Sequence, residues 1–376
     1  MSISWLAIPG FIIWLAILLL PWRPWSTRES LDAIAKLDDV DTSKVTVLIP
    51  ARDEAEVIAD TLNSLLEQGN LGRIILVDDQ SEDGTAELAR TVIAEDDRLL
   101  IIPGQALESG WSGKLWALEQ GRKQVSSEYT LLLDADIALK PGTIATLVNK
   151  AETDGFDLVS LMAFLRMRSY WELLLMPAFI YFFKLLYPFA LSNSSSKIVA
   201  AAAGGCILVK TEKLEEIGGF AALKNALIDD CSLARKIKNS NGRTWIGLTH
   251  SAISHRNYDT LDTIWNMVAR TAYTQLFHSI LLLLLCTAIM LTAFFLPLAL
   301  LLVMDLPVFL LACLTLILMM LSYFPVIRYY DLNPAWLLSL PIAALFYICM
   351  TWSSAIRHWQ GTGAIWKNRA YTDPAV

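Results

Sequence analysis

Three apolar runs near the C-terminal end constrain this chain more than anything else in it. Residues 276–304, 306–325 and 335–356 are almost uniformly apolar. Each reaches the ~20 residues that a helix needs to cross a bilayer. Inside hydrocarbon the backbone must satisfy its own hydrogen bonds, so such runs fold as helices. A fourth run, Trp5 to Leu20 ("WLAIPGFIIWLAILLL"), lies at the other end and is followed by "PWRPW". A cleaved leader starts with positive charge and ends at small residues. This run does neither, so an uncleaved anchor over residues 1–25 is expected.

Hydrophobic residues make up 55% of the 376 and mean hydropathy is +0.46, which excludes a wholly soluble protein. Residues 26–275 have ordinary charge density and form the expected soluble domain; 276–357 form the C-terminal membrane helices and 358–376 a tail. Arg23, Arg28 and later basic residues place the soluble domain on the cytoplasmic side of the inner membrane. Three spans after it would leave the tail outside, whereas Arg357, Lys367 and Arg369 favour the inside; both topologies stay open. A formal charge of −7 argues against a nucleic-acid partner. Cys206, Cys231, Cys286, Cys313 and Cys349 form no CxxC pair. They read as buried packing in a reduced compartment, not as disulfides or a zinc site.

Within the soluble part, strand-like segments alternate with helical ones. Val45 to Ile49 is followed by Val57, Ile58, Leu62, Leu65 and Leu66 at helical spacing. Ile74 to Val77 leads to a helix with Ser81 or Asp83 as its cap. "GWSGKLWALEQGRKQV" reads as a loop entering a third helix, and "YTLLLDADIAL" as a further strand. Such alternation predicts an α/β domain with a mainly parallel sheet, whose ligands bind beyond the carboxyl ends of the strands. Acidic groups stand at those ends: Asp53 and Glu54, Asp78 and Asp79, Asp134 and Asp136. There is no GxGxxG after the first strand and no P-loop, so a dinucleotide or P-loop reading has little support.

Asp134 and Asp136, two apart on extended chain, point the same way. Unpaired, they repel and raise each other's pKa. Mg²⁺ or Mn²⁺ bound to a diphosphate reverses that cost. A solvated turn is the alternative. Asp229 and Asp230 open a helical pattern in "IDDCSLARKI" and read either as favourable charges at a helix start or as a general base.

Taken in order, "VLIPARDEAEVI", "ILVDDQSEDGT", "GWSGKLWALEQG", "LLLDADIAL", "AAAGGCILVKTEKLEEIGGF" and "IDDCSLARKI" resemble family 2 glycosyltransferases. The resemblance covers about residues 44–275, and within the family it is nearest to the membrane-bound hopene-associated glycosyltransferases. The C-terminal "GAIWKNRAY" resembles tails of that group. It implies a GT-A fold with one N-terminal and about three C-terminal transmembrane helices, and transfer from a nucleotide sugar, a UDP-sugar being expected, to a lipid acceptor. By that resemblance Pro50, Ala51, Asp53 and Glu54 cradle the nucleoside and Asp79 reads the uracil. Lys114 contacts the nucleotide sugar, Asp134 meets ribose or metal, and Asp136 is the main ligand of a divalent metal (Mg²⁺ or Mn²⁺). Asp230 is the base of an inverting displacement, and Gly204, Gly205 and Cys206 lie near the acceptor.

Processive polysaccharide synthases of the family carry QxxRW after the base. Here the comparable region is "IWNMVARTAYTQL": Arg270 matches the arginine, while Met267 and Thr271 replace Gln and Trp. That weighs against a processive synthase and leaves Arg270 either there or at the membrane interface. Trp171 to Leu191 is apolar enough to suggest a span. Crossing once would put Asp134 and Asp230 on opposite sides of the membrane, so interfacial helices over 165–191 are expected, with a buried core helix as the alternative. His255 reaches either the metal–diphosphate or an ordinary polar partner, and Trp111 and Trp116 either line the donor site or pack. A nucleotidyltransferase would show a basic, Gly-rich first loop, which "IPARDEAE" is not. A non-catalytic transport or assembly protein with a retained nucleotide-sugar fold is the remaining alternative.

Overall fold

The computed structural model describes residues 3–34, 37, 39–93, 96–224, 226–361, 365–366 and 369–370. Most of the tail motif "GAIWKNRAY" lies outside them. The chain divides into two compact units, one of residues 1–28, 167–190 and 258–364, the other of 29–166, 191–257 and 365–376. In chain order the regular elements begin with α1 (Ala7–Leu19), β1 (Val45–Ala51), α2 (Ile58–Leu66), β2 (Arg73–Asp78), α3 (Thr85–Val92) and β3 (Leu99–Pro103). Next come α4 (Gly113–Arg122), β4 (Tyr129–Leu133), β5 (Ile137–Leu139), α5 (Thr143–Asp154) and β6 (Leu158–Phe164). They continue through α6 (Tyr170–Leu186), α7 (Phe189–Ser192), β7 (Cys206–Lys210), α8 (Thr211–Glu216), α9 (Asp229–Asn239) and β8 (Thr244–Ser254). The chain closes with α10 (Leu261–Ala269), α11 (Ile280–Met290), α12 (Leu296–Leu300), α13 (Leu306–Tyr329), α14 (Leu340–Trp359) and a short ribbon of β9 (Ile365–Trp366) and β10 (Arg369–Ala370).

The second unit is built on one eight-stranded sheet in the order β3-β2-β1-β4-β7-β6-β8-β5. β1, β2, β3 and β4 pair in parallel, as do β6 and β8, while β7 and β5 run against their neighbours. The sheet is therefore mainly parallel, as expected. Alternate side chains feed two cores. Val45, Val47 and Ile49 enter one beneath α2, with Ile74 and Leu76; Leu48, Ile75 and Val77 enter the other against α4. Period-two alternation with both faces buried is what a covered sheet requires.

The expected single strand "YTLLLDADIAL" is broken. β4 ends at Leu133, Asp134 to Asp136 form a turn, and β5 starts at Ile137 on the far side of β7, β6 and β8. In a flat sheet those two strands would stand about 19 Å apart, four spacings of ~4.8 Å. The chain from Leu133 to Ile137 spans at most about 14 Å. The sheet must therefore curl, and a register shift in β6 between Met162 and Phe164 marks where it bends. Two other local expectations change. The cap position of α3 is Gly84, in the left-handed conformation, rather than Ser81 or Asp83. Leu66, at the end of α2, is exposed.

The first unit is helical. Among the described residues three runs are long and apolar enough to cross a membrane: Ile280–Leu300, Leu306–Tyr329 and Pro334–Trp359. The N-terminal helix α1 is apolar but short, 13 residues, preceded by a 3₁₀ turn over Ile3–Leu6. It packs tightly against the first run: a Cβ on Gly10 would stand 3.0 Å from the Thr292 carbonyl. That run is interrupted by a π-helical turn, Leu291–Phe295. Pro297 has no N–H to give the Ala293 carbonyl four residues back. The Trp14 indole N–H donates to that carbonyl instead, at 2.8 Å. α6 belongs to this unit. It has 17 residues with Pro177 inside and starts on a capping box between Ser169 and Glu172. It is held by Tyr181 Oη to Ser322 Oγ (2.7 Å) and by the Tyr347 hydroxyl donating to the Leu175 carbonyl (3.0 Å).

α4 meets the sheet at Gly121, where an added Cβ would fall 2.2 Å from Leu48 Cδ1 and 2.8 Å from Val77 Cγ2. Gly121→Ala should gain ~1 kcal/mol of helix propensity and lose more to overpacking, ~1–3 kcal/mol. The expected outcome is a lower midpoint of thermal unfolding; an unchanged or higher midpoint would refute this packing.

Candidate active site

Six strands of the sheet run the same way, so the segments after β1, β2, β4 and β8 gather at one edge with the segment before β7. After β1, Arg52 Nη1 donates to the Asp79 carbonyl at 2.5 Å. Asp53 adopts a left-handed backbone, φ 50°. Its N–H donates to Ser81 Oγ (3.0 Å) and its carboxylate accepts from Glu82 N–H (2.9 Å). Glu54 N–H donates to Thr85 Oγ1, and Ala55 N–H to Asp83 Oδ2, each at 2.9 Å. The loops after β1 and β2 are thus laced into one rigid rim, with Asp79 wholly buried behind it.

Lys114 sits in the first turn of α4, whose N-cap Ser112 accepts from Leu115 N–H. Its Nζ lies 2.7 Å from Asp134 Oδ1 and 4.0 Å from Asp229 Oδ2. Asp134 N–H donates to the Gly205 carbonyl at 3.0 Å, which ties the turn after β4 to the entry of β7. Gly204 N–H donates to Asp230 Oδ2 at 2.9 Å, and Cys231 N–H to Asp230 Oδ1 at 2.7 Å. A Cβ on Gly204 would stand 3.3 Å from Lys114 Nζ and 3.4 Å from Asp230 Oδ2. Glycine there lets the ammonium and the carboxylate share one pocket. Pro50, Leu118 and Phe220 also line it.

The charges tune one another. Burial pushes the Asp230 carboxyl up to about 6, Asp229 adds to this, and the Cys231 and Gly204 N–H groups and Lys114 hold it back. Burial also raises Asp134, against the pull of Lys114, with Asp136 adding to the rise. For Lys114, burial opposes the charge, but Asp134, Asp229 and Asp230 prevail and hold its pKa above the usual lysine value. Burial, with Asp134, pushes the Cys206 thiol up to about 12. That side chain is packed in the core, so only the backbone of the Gly204 to Cys206 stretch faces the site.

Asp136 lies on the other flank of the turn. Its carboxylate accepts from Arg256 Nε at 2.8 Å, and Arg256 Nη2 donates to Glu54 Oε1 at 3.0 Å. His255 N–H donates to the Asp136 carbonyl at 2.8 Å, and its Nδ1 lies 3.3 Å from Asp60 Oδ2. Asp53, Glu54, Asp79, Lys114, Asp134, Asp136, Gly204, Asp230 and His255 thus all belong to this edge. Arg270 stands at the C-cap of α10, in the helical unit. Trp111 and Trp116 are mostly buried against each other, and the Trp116 indole N–H donates to the Gln105 and Ala106 carbonyls. Arg256 and Asp60 were not singled out from sequence. The available signal for Arg256 was a cation directly after the last strand that ends on this edge.

Among the described residues no group of three or more His, Cys, Asp or Glu side chains is set to enclose a metal ion by itself. A hard divalent cation shared with a diphosphate needs only one or two protein carboxylates. Asp134 and Asp136 fit that part: each now holds a cationic side chain, so each already lies where positive charge is stabilised.

Residues 46–218 match the sequence model of the Glycosyl transferase family 2 family. A 4,4'-diaponeurosporenoate glycosyltransferase of Staphylococcus haemolyticus is 30% identical over 115 residues, 31% of this chain and 30% of that protein. A poly-beta-1,6-N-acetyl-D-glucosamine synthase of Staphylococcus aureus is 34% identical over 114 residues, 29% of this chain and 26% of that protein. The match thus spans less than a third of either relative. A mannosyltransferase of Pyrobaculum calidifontis, solved in complex with GDP-Man and Mn2+, shares the fold with a TM-score of 0.57 at 18% identity, over 92% of this chain and 99% of that one. Residues 46–218 thus resemble a family 2 glycosyltransferase domain, the chain has the GT-A fold, and its described residues include three helices long and apolar enough to cross a membrane.

Proposed function

We propose that the protein is a membrane-bound inverting glycosyltransferase that moves a sugar from a nucleotide sugar, a UDP-sugar, to a hydroxyl of a lipid acceptor. The observation that carries this reading is the meeting of Asp134 and Asp230 across Lys114, one at a strand end and the other at a helix start. A donor half and an acceptor half side by side are what a single displacement needs.

In this reading the acceptor oxygen attacks the anomeric carbon as the bond from that carbon to the diphosphate oxygen breaks. Asp230 takes the hydroxyl proton, and the leaving nucleoside diphosphate carries the electron pair away. Lys114 stands beside the leaving oxygen as a fixed positive charge. Asp134 and Asp136 would hold a Mg²⁺ or Mn²⁺ ion, which when bound supplies further neutralisation of the diphosphate. The rim of Pro50, Ala51, Asp53, Glu54 and Asp79 would hold the nucleoside.

The membrane reading rests on the three long apolar helices. With Arg23 and Arg28 inside, the catalytic unit faces the cytoplasm at the inner membrane. Because Asp134 and Asp230 share a pocket, the chain between them leaves and returns on one side, which supports α6 as an interfacial helix. A lipid acceptor draws support from the relative named for 4,4'-diaponeurosporenoate; the hopene-associated resemblance suggests a hopanoid or related glycolipid pathway. The similarity to a poly-beta-1,6-N-acetyl-D-glucosamine synthase favours, as the second reading, a polysaccharide synthase. The missing QxxRW weighs against it.

Purified protein with UDP-sugar, Mn²⁺ or Mg²⁺ and membrane lipid extract should form a glycolipid. Asp136→Ala and Asp230→Ala should each lower transfer by about 10²- to 10⁴-fold; normal turnover by either would sink the mechanism. The pH profile gives a second check. A base must be unprotonated, so the rate should fall as pH drops through about 6. Lys114 holds that carboxyl down, so in Lys114→Met the acid limb should move to higher pH. A limb that stays put or moves lower would contradict this.

A further inference from the structure

Arg256, just beyond β8, spans two carboxylates that come from different elements. Its Nε takes Asp136 and its Nη2 takes Glu54. The two acceptors are nearly withdrawn from solvent, 8% and 11% exposed, while the arginine side chain is 37% exposed. Carboxylates held that close and that deep repel unless a cation stands between them. The guanidinium supplies one, always charged and shaped as a fork. A divalent cation on Asp136 would meet this resident positive charge on the same carboxylate, and two cations sharing one carboxylate repel.

We infer that Arg256 is an exchangeable cation: it neutralises Asp136 and Glu54 before the donor arrives, and gives up Asp136 when a divalent cation and a nucleoside diphosphate bind together. This rests on the reading of Asp136 as a metal-holding residue. The exchange is asymmetric in its partners. Asp136 is fixed by the turn that His255 N–H secures, whereas the arginine is the more exposed partner of the pair. The natural destination of a displaced guanidinium is a phosphate oxygen. Metal alone must therefore evict the arginine, while metal with a diphosphate offers it a new acceptor. Metal and nucleotide then bind cooperatively, each raising the affinity of the other.

The test is direct metal binding, without turnover. Free Mn²⁺ is followed by electron paramagnetic resonance as it is titrated into the full-length protein, with and without UDP. Without UDP, Arg256→Gln should bind Mn²⁺ about tenfold more tightly than the unmodified protein. Arg256→Lys, which keeps a charge but not the fork, should fall between them and serves if the Gln variant does not fold. The factor by which UDP tightens Mn²⁺ should shrink in both variants. Mn²⁺ binding by either folded variant that is unchanged or weaker without UDP overturns the exchange and leaves the metal reading intact. No Mn²⁺ binding by the unmodified protein, with or without UDP, removes the metal reading and this inference with it.

Discussion

The turn Asp134 to Asp136 joins strands that lie at β4 and β5, separated in the sheet by β7, β6 and β8. Too few residues link them for a flat sheet, so the sheet curls, and the curl assembles the site. It carries the end of β8, with His255 and Arg256, round to the end of β1, where Arg256 reaches Glu54. It also leaves the two aspartates facing separate partners, Lys114 on one side and Arg256 on the other. The motif is therefore a structural link. Its backbone is bonded to Gly205 and His255, and α2 supports the middle of it through Thr61 Oγ1 to the Ala135 carbonyl.

Electrostatics complete what the topology begins. Five carboxylates (Glu54, Asp134, Asp136, Asp229 and Asp230) approach two cations, Lys114 and Arg256. Such a set is short of positive charge, which is what a bound divalent cation would supply. The raised pKa of Asp230 comes first from its burial, to which the neighbouring Asp229 adds. A carboxyl near 6 is a better proton acceptor than an ordinary aspartate and is still ionised at neutral pH.

Much of this was legible in sequence, and the exceptions have physical causes. The α/β alternation, the strand-end carboxylates and the C-terminal apolar runs follow from local pattern, so they survive intact. "YTLLLDADIAL" misled because "IAL" is good strand material; nothing local says that it pairs with β8 instead of continuing β4. Ser81 and Asp83 looked like helix caps because capping is a local habit, whereas Ser81 is drawn to the Asp53 N–H of the neighbouring loop. Arg256 stayed hidden because its partners, Glu54 and Asp136, are far away in sequence. Only the curl brings them together. The Trp14 indole of α1 donates to the Ala293 carbonyl, a contact between distant helices that hydropathy does not encode.

The central claim, a direct displacement assisted by Asp230, has a stereochemical signature. Nuclear magnetic resonance can follow the first-formed anomer of free sugar released from an α-linked UDP-sugar, before mutarotation, with water in place of the acceptor. The account predicts the β-anomer, with release abolished in Asp230→Asn. First release of the α-anomer would contradict it.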